Sequence, residues 1–362
     1  MKRRQFLQAA GLGLAATAVA KPAVAQSNPT ISWRLTASWP KSLDTLYGAC
    51  EVFAKSVAEI TDNRFQLQVF AAGEIVPALA VLDAVQAGTV EMGNTGAYYY
   101  WGKDPALALG TAVPFGLNTR QMESWLRHGG GNELLQEVFA SFNCFGIPMG
   151  NTTCQMGGWF RKEINKVDDL HGLKFRIGGF AGKIISRLGV VPQQIAAGDI
   201  YSSLEKGTID AVEWIGPYDD EKLGFQKIAK YYYYPAWWEG SANGHTLVNL
   251  DKWNGLPKHY QAALLAAARD AGHWLTGKYD AVNPPALRRL LAGGTQLRGF
   301  SQEIMEASYR AANEVYAETS AENPRFKKIY DSMVAFRSDS YLWWQVGEMS
   351  FDSFQVRMRA RT

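Results

Sequence analysis

Polar side chains stand where predicted buried strands end, and they have the chemistry to hold a small anion. Arg176 closes a predicted strand, just before Gly178-Gly179. A buried arginine costs desolvation free energy unless it meets an anion, and its planar guanidinium suits a carboxylate bidentately. The sequence therefore indicates either a ligand carboxylate on Arg176 or an internal salt bridge to an aspartate or glutamate.

Two glutamates and an amide occupy similarly apolar surroundings. Glu213 ends a predicted strand beside Trp214, Glu239 follows an aromatic run, and Gln155 lies in a segment that begins at Asn151. Ligands of open α/β sheets bind beyond the carboxyl ends of the strands. Buried carboxylates need a cation, and a bound metal is one candidate. The alternative is that the acids are solvated and that the aromatic residues near them belong to the core.

A cluster of aromatic residues follows Asn94 at the corresponding strand end of the first half. The stretch 98–101 reads Tyr-Tyr-Tyr-Trp and offers hydroxyl donors and an aromatic wall, with Tyr100 as the candidate ligand contact. No nucleotide-binding, zinc-protease, nucleophile-elbow or haem-attachment motif accompanies these residues, and the five histidines lack metal-ligand spacing. This weakens an enzymatic reading without excluding it.

The N-terminus predicts export. Arg3-Arg4 and Phe6-Leu7 precede an apolar run over 9–20, and Ala23-Val24-Ala25 supplies small residues for cleavage before Gln26. The paired arginines favour a twin-arginine signal over an ordinary secretory signal, which is the alternative. Export makes the periplasm the expected location.

The charge of the chain gives no reason to expect nucleic acid or an anionic membrane as partner. The net charge is +3, and residues 1–25 carry four basic residues and no acid, so removing them leaves −1. Three cysteines without short spacing argue against a disulfide framework, although one pairing remains possible.

The order of the elements predicts an α/β fold with two similar lobes. Strands at 31–36, 65–70 and 89–92 alternate with helices at 46–60 and 79–87, and the second half repeats this order with strands at 173–177, 190–195 and 208–213. The segments 87–92 and 206–211, in which a predicted helix ends and a strand begins, both contain Gly, Thr, a β-branched residue and an acid. Two such lobes would form a cleft.

The C-terminal part is predicted to be helical. Helices are expected at 260–275, interrupted by Pro284-Pro285, and again at 304–317 and 326–336. The stretch 341–359 keeps large apolar residues that would either dock on the body of the protein or mediate self-association.

Two stretches, Leu170–Arg176 and Leu204–Ala211, resemble signatures of the periplasmic binding subunits of tripartite ATP-independent periplasmic (TRAP) transporters. Ala211 departs from the glycine usual at that place. Three further stretches, at 98–105, 155–161 and 213–222, are similar to the subgroup that binds 2-oxo acids such as pyruvate. The resemblance implies a two-lobed periplasmic-binding-protein-like clamp with mostly parallel or mixed sheets, plus a helical C-terminal extension.

The resemblance also implies lobe boundaries. Residues 26–150 with about 241–285 would form one lobe, residues 151–240 with about 286–325 the other, and residues 326–362 a helical extension exchanged between two protomers of a homodimer. TRAP membrane permease subunits would be the transport partners.

For the site, the resemblance implies that Arg176 holds the ligand carboxylate. The other residues expected at the ligand are Gln155, Tyr100, Asn151, Trp214 and Glu239. A bridging cation, Na⁺ with Ca²⁺ as the alternative, would be bound by Gln155, Glu213, the backbone carbonyl of Trp214 and Glu239. Two other functions stay open: a periplasmic oxidoreductase or lyase exported by the twin-arginine route, and a sensory ligand receptor on the same fold.

Overall fold

The structure is a computed structural model that describes residues 28–359, and it contains two mixed β-sheets surrounded by helices. The predicted signal peptide, residues 1–25, lies outside the described residues. The strands are β1 (Ile31–Ala37), β2 (Phe65–Phe70), β3 (Met92–Thr95), β4 (Cys144–Asn151), β5 (Gly158–Phe160), β6 (Lys174–Arg176), β7 (Val191–Gln193), β8 (Ala211–Val212), β9 (Tyr231–Tyr234), β10 (Asn243–Asn249) and β11 (Gln296–Gly299).

The helices complete the α/β architecture predicted from the sequence. They are α1 (Leu46–Ile60), α2 (Val81–Gln86), α3 (Thr119–His128), α4 (Gly131–Ala140), α5 (Ala181–Ile185), α6 (Ala197–Glu205), α7 (Pro217–Leu223), α8 (Leu250–Gly255), α9 (Lys258–Ala292), α10 (Gln302–Glu322), α11 (Pro324–Trp344) and α12 (Glu348–Arg359). Short 3₁₀ turns at 97–100 and 105–110 lie between β3 and α3. No helix within residues 28–359 is long and apolar enough to cross a membrane.

The two sheets contain parallel and antiparallel pairs. The first has the order β2-β1-β3-β10-β4, and the second β11-β9-β5-β8-β6-β7. In the first sheet, β10 runs antiparallel between β3 and β4, so a strand from the second half of the chain completes the sheet of the first half. The predicted fold class is thereby confirmed, while the boundaries of the two lobes remain a prediction.

Local patterns located several elements well. Helix α1 spans the predicted residues, because its apolar side chains recur at helical spacing and Phe53 and Val57 are fully buried. Asp199 lies in the first turn of α6, where a carboxylate meets the positive end of the helix dipole. The expected interruption at Pro284-Pro285 is wrong, since α9 runs on through both prolines to Ala292.

Helix α9 keeps its course because its apolar face is buried on both sides of the prolines. Tyr279 lies before them, and Ala286 and Leu290 after them. A proline removes one backbone hydrogen bond but keeps a helical φ, so burial of the flanking side chains is enough to hold the helix. Tyr279 also donates from its hydroxyl to Asp219 of α7 (2.7 Å), and Thr45, just before α1, donates to the same carboxylate (2.8 Å). These contacts hold α7 against α9 and against the residue before α1.

The C-terminal helix is not docked on the body of the protein. Within α12 no side chain is buried, and Phe351 and Phe354 are 64% and 54% exposed. The end of α11 is similar, with Leu342 67% exposed. Arg120 contacts this region, through a salt bridge to Glu348 and over the ring of Trp344. The structure therefore does not show the docking considered from the sequence, and self-association remains a prediction.

Candidate functional site

Arg176 and Glu213 are brought together by neighbouring strands of the second sheet. Arg176 is the last residue of β6, Glu213 follows β8, and the Glu213 amide donates to the Arg176 carbonyl (3.0 Å). Arg176 Nη1 donates to Glu213 Oε2 (3.1 Å) and to the Glu213 carbonyl (2.6 Å). Both side chains are at most 1% exposed. Of the two partners that the sequence indicates for Arg176, the internal carboxylate is therefore present.

The salt bridge does not use the whole guanidinium. Arg176 Nε donates to the carbonyl of Ile195 (3.1 Å), and the guanidinium carbon lies 4.8 Å from the centre of the Trp214 ring. Within the described chain, Nη2 makes no hydrogen bond. Its two N–H groups remain for an additional anion, so the internal salt bridge and a ligand carboxylate are compatible on the same arginine.

Gln155 and Glu239 are held side by side by their backbones. The Gln155 amide donates to the Glu239 carbonyl (3.2 Å), the Ala236 amide donates to the Gln155 carbonyl (3.3 Å), and the Met156 amide donates to the carbonyl of Ile215 (2.8 Å). The loop after β4 thus lies against the loop after β9 and against the residues that follow Glu213. Gln155 Nε2 donates to Thr152 Oγ1 (2.9 Å), which directs its Oε1 the other way.

Four buried side-chain oxygens around Arg176 have no hydrogen-bond partner: Gln155 Oε1, Glu213 Oε1 and both oxygens of Glu239. The Trp214 carbonyl also accepts no hydrogen bond from the described residues. Buried acceptors without donors are rare, because each forgoes its interaction with water. Oxygen-only sets of carboxylates, amides and carbonyls are the ligands of hard cations. The residues present therefore fit a bound cation.

The electrostatics of the two glutamates also favour a cation. Burial raises the pKa of Glu213 to about 7, although Arg176 acts in the opposite direction. Burial and then the charge of Glu213 raise the pKa of Glu239 well above its ordinary value, and Arg176 and the neighbouring Tyr98 hydroxyl act in the opposite direction. The Tyr98 hydroxyl does not reach hydrogen-bonding geometry with either Glu239 oxygen. Within residues 28–359 there is no cluster of three or more histidine, cysteine, aspartate or glutamate side chains suited to a metal. A cation here would depend on the neutral oxygens as well as on the two carboxylates.

A cavity lies next to Gln155 and Trp214, whereas Arg176, Glu213 and Glu239 are not among its lining residues. Gln155 and Trp214 line it on the side of the second sheet, and the opposite wall comes from residues around the first sheet: Trp39, Leu46, Gly96, Tyr98, Tyr99, Thr111, Ala242, Asn243 and Gly244. Most of the wall is apolar or aromatic, as in small-molecule sites that fix orientation with a few polar groups.

Tyr98 closes this cavity against the second sheet. A Cβ added to Gly179, whose φ is +62°, would lie 2.3 Å from Tyr98 Cδ2, so only glycine permits the approach. Burial and the charge of Glu239 raise the pKa of the Tyr98 hydroxyl well above its ordinary value. Gln194 Nε2 donates to the Tyr99 carbonyl (3.0 Å), which adds a second contact between the two sides.

Tyr100 is not part of this lining. Its hydroxyl accepts from the Leu82 amide (3.1 Å) and lies 3.2 Å from Thr95 Oγ1, in the core of the first sheet. A 3₁₀ turn has three residues per turn, so consecutive tyrosines point in different directions, and Tyr98 and Tyr99 face the cavity instead. Asn151 also lies outside the lining. It is fully buried, its Oδ1 accepts from the Thr153 amide (2.9 Å) and its Nδ2 has no partner.

A family model described as bacterial extracellular solute-binding protein, family 7 (DctP), matches residues 36–323. The chain belongs to the DctP family. The resemblance drawn from the signature stretches is confirmed, and the protein is a periplasmic solute-binding protein of the TRAP type.

Relatives of this DctP protein are similar over nearly their whole length. A protein from Nostoc sp., named a monocarboxylate 2-oxoacid-binding periplasmic protein, is 50% identical, with 98% of this chain and 99% of that protein covered. A TRAP transporter solute-binding protein from Bordetella bronchiseptica is 48% identical with a TM-score of 0.91, covering 92% of this chain and 99% of that one. Its crystal structure is a mixed-occupancy dimer with calcium and picolinate in one active site.

A third DctP relative carries a different cation. The TRAP periplasmic solute-binding protein from Pseudoalteromonas atlantica is 35% identical with a TM-score of 0.87, covering 90% of this chain and 99% of that one, and its structure contains sodium and pyruvate. The two solved relatives thus hold different hard cations beside different carboxylates.

Proposed function

We propose that this protein binds a small 2-oxo or 2-hydroxy monocarboxylate together with a cation and delivers it to the membrane subunits of a TRAP transporter. The observation that carries the proposal is the group of four unpartnered buried oxygens beside the free Nη2 of Arg176. Arg176 would hold the ligand carboxylate, and Gln155, Glu213, Glu239 and the Trp214 carbonyl would hold the cation. A 2-oxo acid supplies a carboxylate and a second oxygen that bind one cation together.

The charge of the site accommodates either of two cations. Glu213, Glu239 and a ligand carboxylate set against Arg176 leave a net charge of −2. Calcium neutralises this charge and sodium leaves −1, so both are compatible with the residues, and relatives contain one or the other. We propose sodium as the cation, with calcium as the alternative. Tyr98 and Tyr99, which line the cavity, would replace Tyr100 as the ligand contacts.

The experiment is thermal unfolding of the mature protein with a panel of oxo, hydroxy, amino and dicarboxylic acids, each with sodium, with calcium or with neither. A ligand that binds only the folded protein raises the unfolding midpoint by mass action. Stabilisation by pyruvate-like acids in the presence of only one cation would support the proposal and identify that cation. No response to any acid, or an equal response with and without cations, would contradict it.

The variant Glu239→Gln tests the cation site directly. It removes one charge and one oxygen from a buried position, so we expect at least tenfold weaker ligand binding in calorimetry and lower metal content, since truncation of a charged buried partner costs about 1.4 kcal/mol or more. Glu137→Gln is the matched control, because Glu137 is an exposed member of an ion pair with Lys328. Unchanged affinity and metal content in Glu239→Gln would remove Glu239 from the site.

We also propose that the protein acts as a homodimer joined through its C-terminal helices. The exposed apolar side chains of α12 and the end of α11 support this, and so does the dimer of the Bordetella relative. Leu342→Glu with Phe351→Glu should give a monomer by light scattering, whereas Gln355→Glu, an exposed polar position of α12, should leave the dimer intact. A monomeric wild type would refute the proposal.

The protein is proposed to have no catalytic activity of its own. The DctP family and the relatives above are binding proteins, and nothing favours the oxidoreductase or lyase considered from the sequence. Incubation with bound oxo acids, followed by nuclear magnetic resonance of the acid, should return the acid unchanged. Conversion to a reduced or cleaved product would reverse this proposal.

A further inference from the structure

Two residues that line the cavity beside the first sheet each carry a buried polar atom without a partner. Thr111 and Asn243 both line the cavity and are 2% and 0% exposed, respectively. Neither Thr111 Oγ1 nor Asn243 Oδ1 has a hydrogen-bond partner. The proposed function does not use either atom.

The orientation of Asn243 is fixed by its own contacts. Its Nδ2 donates to the carbonyls of Gly244 (3.0 Å) and Gly110 (3.4 Å), so the amide nitrogen must point toward these carbonyls and the oxygen away from them. The Asn243 backbone amide donates to the Thr111 carbonyl (3.0 Å), which holds the two residues next to each other. The pair is therefore a built feature of the wall and not a chance approach of mobile side chains.

The chemistry of the two atoms selects one kind of ligand group. Asn243 Oδ1 can only accept a hydrogen bond, whereas the Thr111 hydroxyl can donate or accept. A ligand hydroxyl can donate to Asn243 and accept from Thr111, and so satisfies both. A ligand carbonyl would leave Asn243 unpaired, and an alkyl chain would leave both unpaired.

The position of the pair indicates which part of the ligand it meets. Arg176, Glu213 and Trp214 belong to the second sheet, and Asn243 begins β10 of the first sheet. A 2-oxo acid anchored by its carboxylate and 2-oxygen would extend its side chain across the cavity, past apolar residues such as Leu46, toward Asn243.

We propose that Thr111 and Asn243 form a second polar subsite that recognises a hydroxyl group on the side chain of the bound 2-oxo acid. This inference rests on the proposed function and narrows its ligand class to hydroxylated 2-oxo acids. The competing occupant of the subsite is an ordered water molecule, which would pair the same two atoms without selecting among ligands.

The test compares acids that differ only by a methyl or a hydroxyl at the chain end. Calorimetry would measure 3-hydroxypyruvate against 2-oxobutanoate and 4-hydroxy-2-oxobutanoate against 2-oxopentanoate, with pyruvate as the reference ligand. We expect at least one hydroxylated acid to bind roughly tenfold more tightly than its methyl counterpart, because a site with buried polar groups discriminates against a ligand that leaves them unpaired. This comparison needs no substitution and does not depend on the folding of a variant.

Substitutions then locate the preference. Thr111→Val keeps the shape and removes the hydroxyl, so the preferred hydroxylated acid should lose most of its roughly tenfold advantage over its methyl counterpart. Thr111→Ser should retain the preference. Thr36→Val is the matched control, since Thr36 Oγ1 is also buried without a partner but lies in β1 outside the cavity lining.

The outcomes separate the two proposals. If pyruvate binds but neither pair shows a preference, or if Thr111→Val weakens both members of a pair equally, the hydroxyl subsite is refuted and the proposed function stands. If no 2-oxo acid binds at all, the proposed function fails and this inference fails with it.

Discussion

The ion pair between Arg176 and Glu213 should make the unfolding free energy of the protein depend on pH. A substitution of Arg176 should change this dependence measurably. Burial raises the pKa of Glu213 to about 7, with Arg176 acting against burial. Replacing Arg176 with methionine keeps an unbranched, though shorter, side chain and removes the charge, so the pKa of Glu213 should rise further. In the variant, Glu213 would then stay protonated over a range in which it is ionised in the wild type.

The size of the effect follows from proton linkage. Below pH 7 the folded wild type and the folded variant both carry a protonated Glu213, so the difference between their unfolding free energies should be flat. Above pH 7 the folded variant binds one more proton than the folded wild type. The unfolding free energy of the wild type should therefore exceed that of the variant by about 1.4 kcal/mol more for each pH unit, or roughly 2.7 kcal/mol by pH 9.

The assay is urea unfolding from pH 5 to pH 9 in potassium buffer with a chelator, which keeps calcium and sodium away from the carboxylates. The control is Arg176→Met in the background Glu213→Gln with Glu239→Gln, because Arg176 also acts on the pKa of Glu239. In that background the effect of Arg176→Met on the unfolding free energy should not change with pH. A difference between wild type and Arg176→Met that stays constant from pH 6 to pH 9 would refute the reasoning, because Arg176 would then not be holding Glu213 ionised.

Three further predictions concern stability. Burial lowers the pKa of His245 from 6.5 to about 3, so the unfolded chain binds the proton more readily and the unfolding free energy should rise with pH across that range. In urea unfolding, the wild type at pH 5 should be about 2 kcal/mol less stable than at neutral pH, a loss that His245→Gln should not show. Gly158 has a φ of +91°, and an added Cβ would lie 2.5 Å from a backbone oxygen, so Gly158→Ala should lower the unfolding free energy by roughly 1–3 kcal/mol in the same assay. Gly277→Ala is the matched control inside α9, where open space around the added Cβ should let it raise the unfolding free energy by about 0.5–1 kcal/mol. Thr45→Val should lower the unfolding free energy by about 1.5–3 kcal/mol, because it removes a donor to the buried Asp219 carboxylate, and an unchanged value would exclude that hydrogen bond as a stabilising contact.

Local patterns in the sequence were sufficient for elements that bury one face within a short stretch of chain. Helix α1 and strand β2 occupy the predicted residues, because each shows its own periodicity of apolar side chains. The antiparallel strands β5, β9 and β10 were not predicted as strands. Their partners lie far away in sequence, and burial on both faces removes the alternation that marks a strand.

The candidate site was anticipated in its chemistry more than in its geometry. Arg176, Gln155, Glu213 and Glu239 drew attention because charged and amide side chains in apolar surroundings need partners. The choice of Tyr100 over Tyr98 and Tyr99 could not be made from three consecutive tyrosines, since only the turn at 97–100 decides which ring faces the cavity.

The sequence by itself determined the α/β class, the export signal as a prediction, the family signatures and the need of the buried acids for positive charge. These depend on neighbouring residues and on composition. The tertiary structure decided that Arg176 binds Glu213 yet keeps Nη2 free, that four oxygens remain without donors, and that Thr111 and Asn243 face the same cavity. Such facts depend on sheet register and loop packing between residues far apart in the chain, where an ångström separates a hydrogen bond from an unpaired atom.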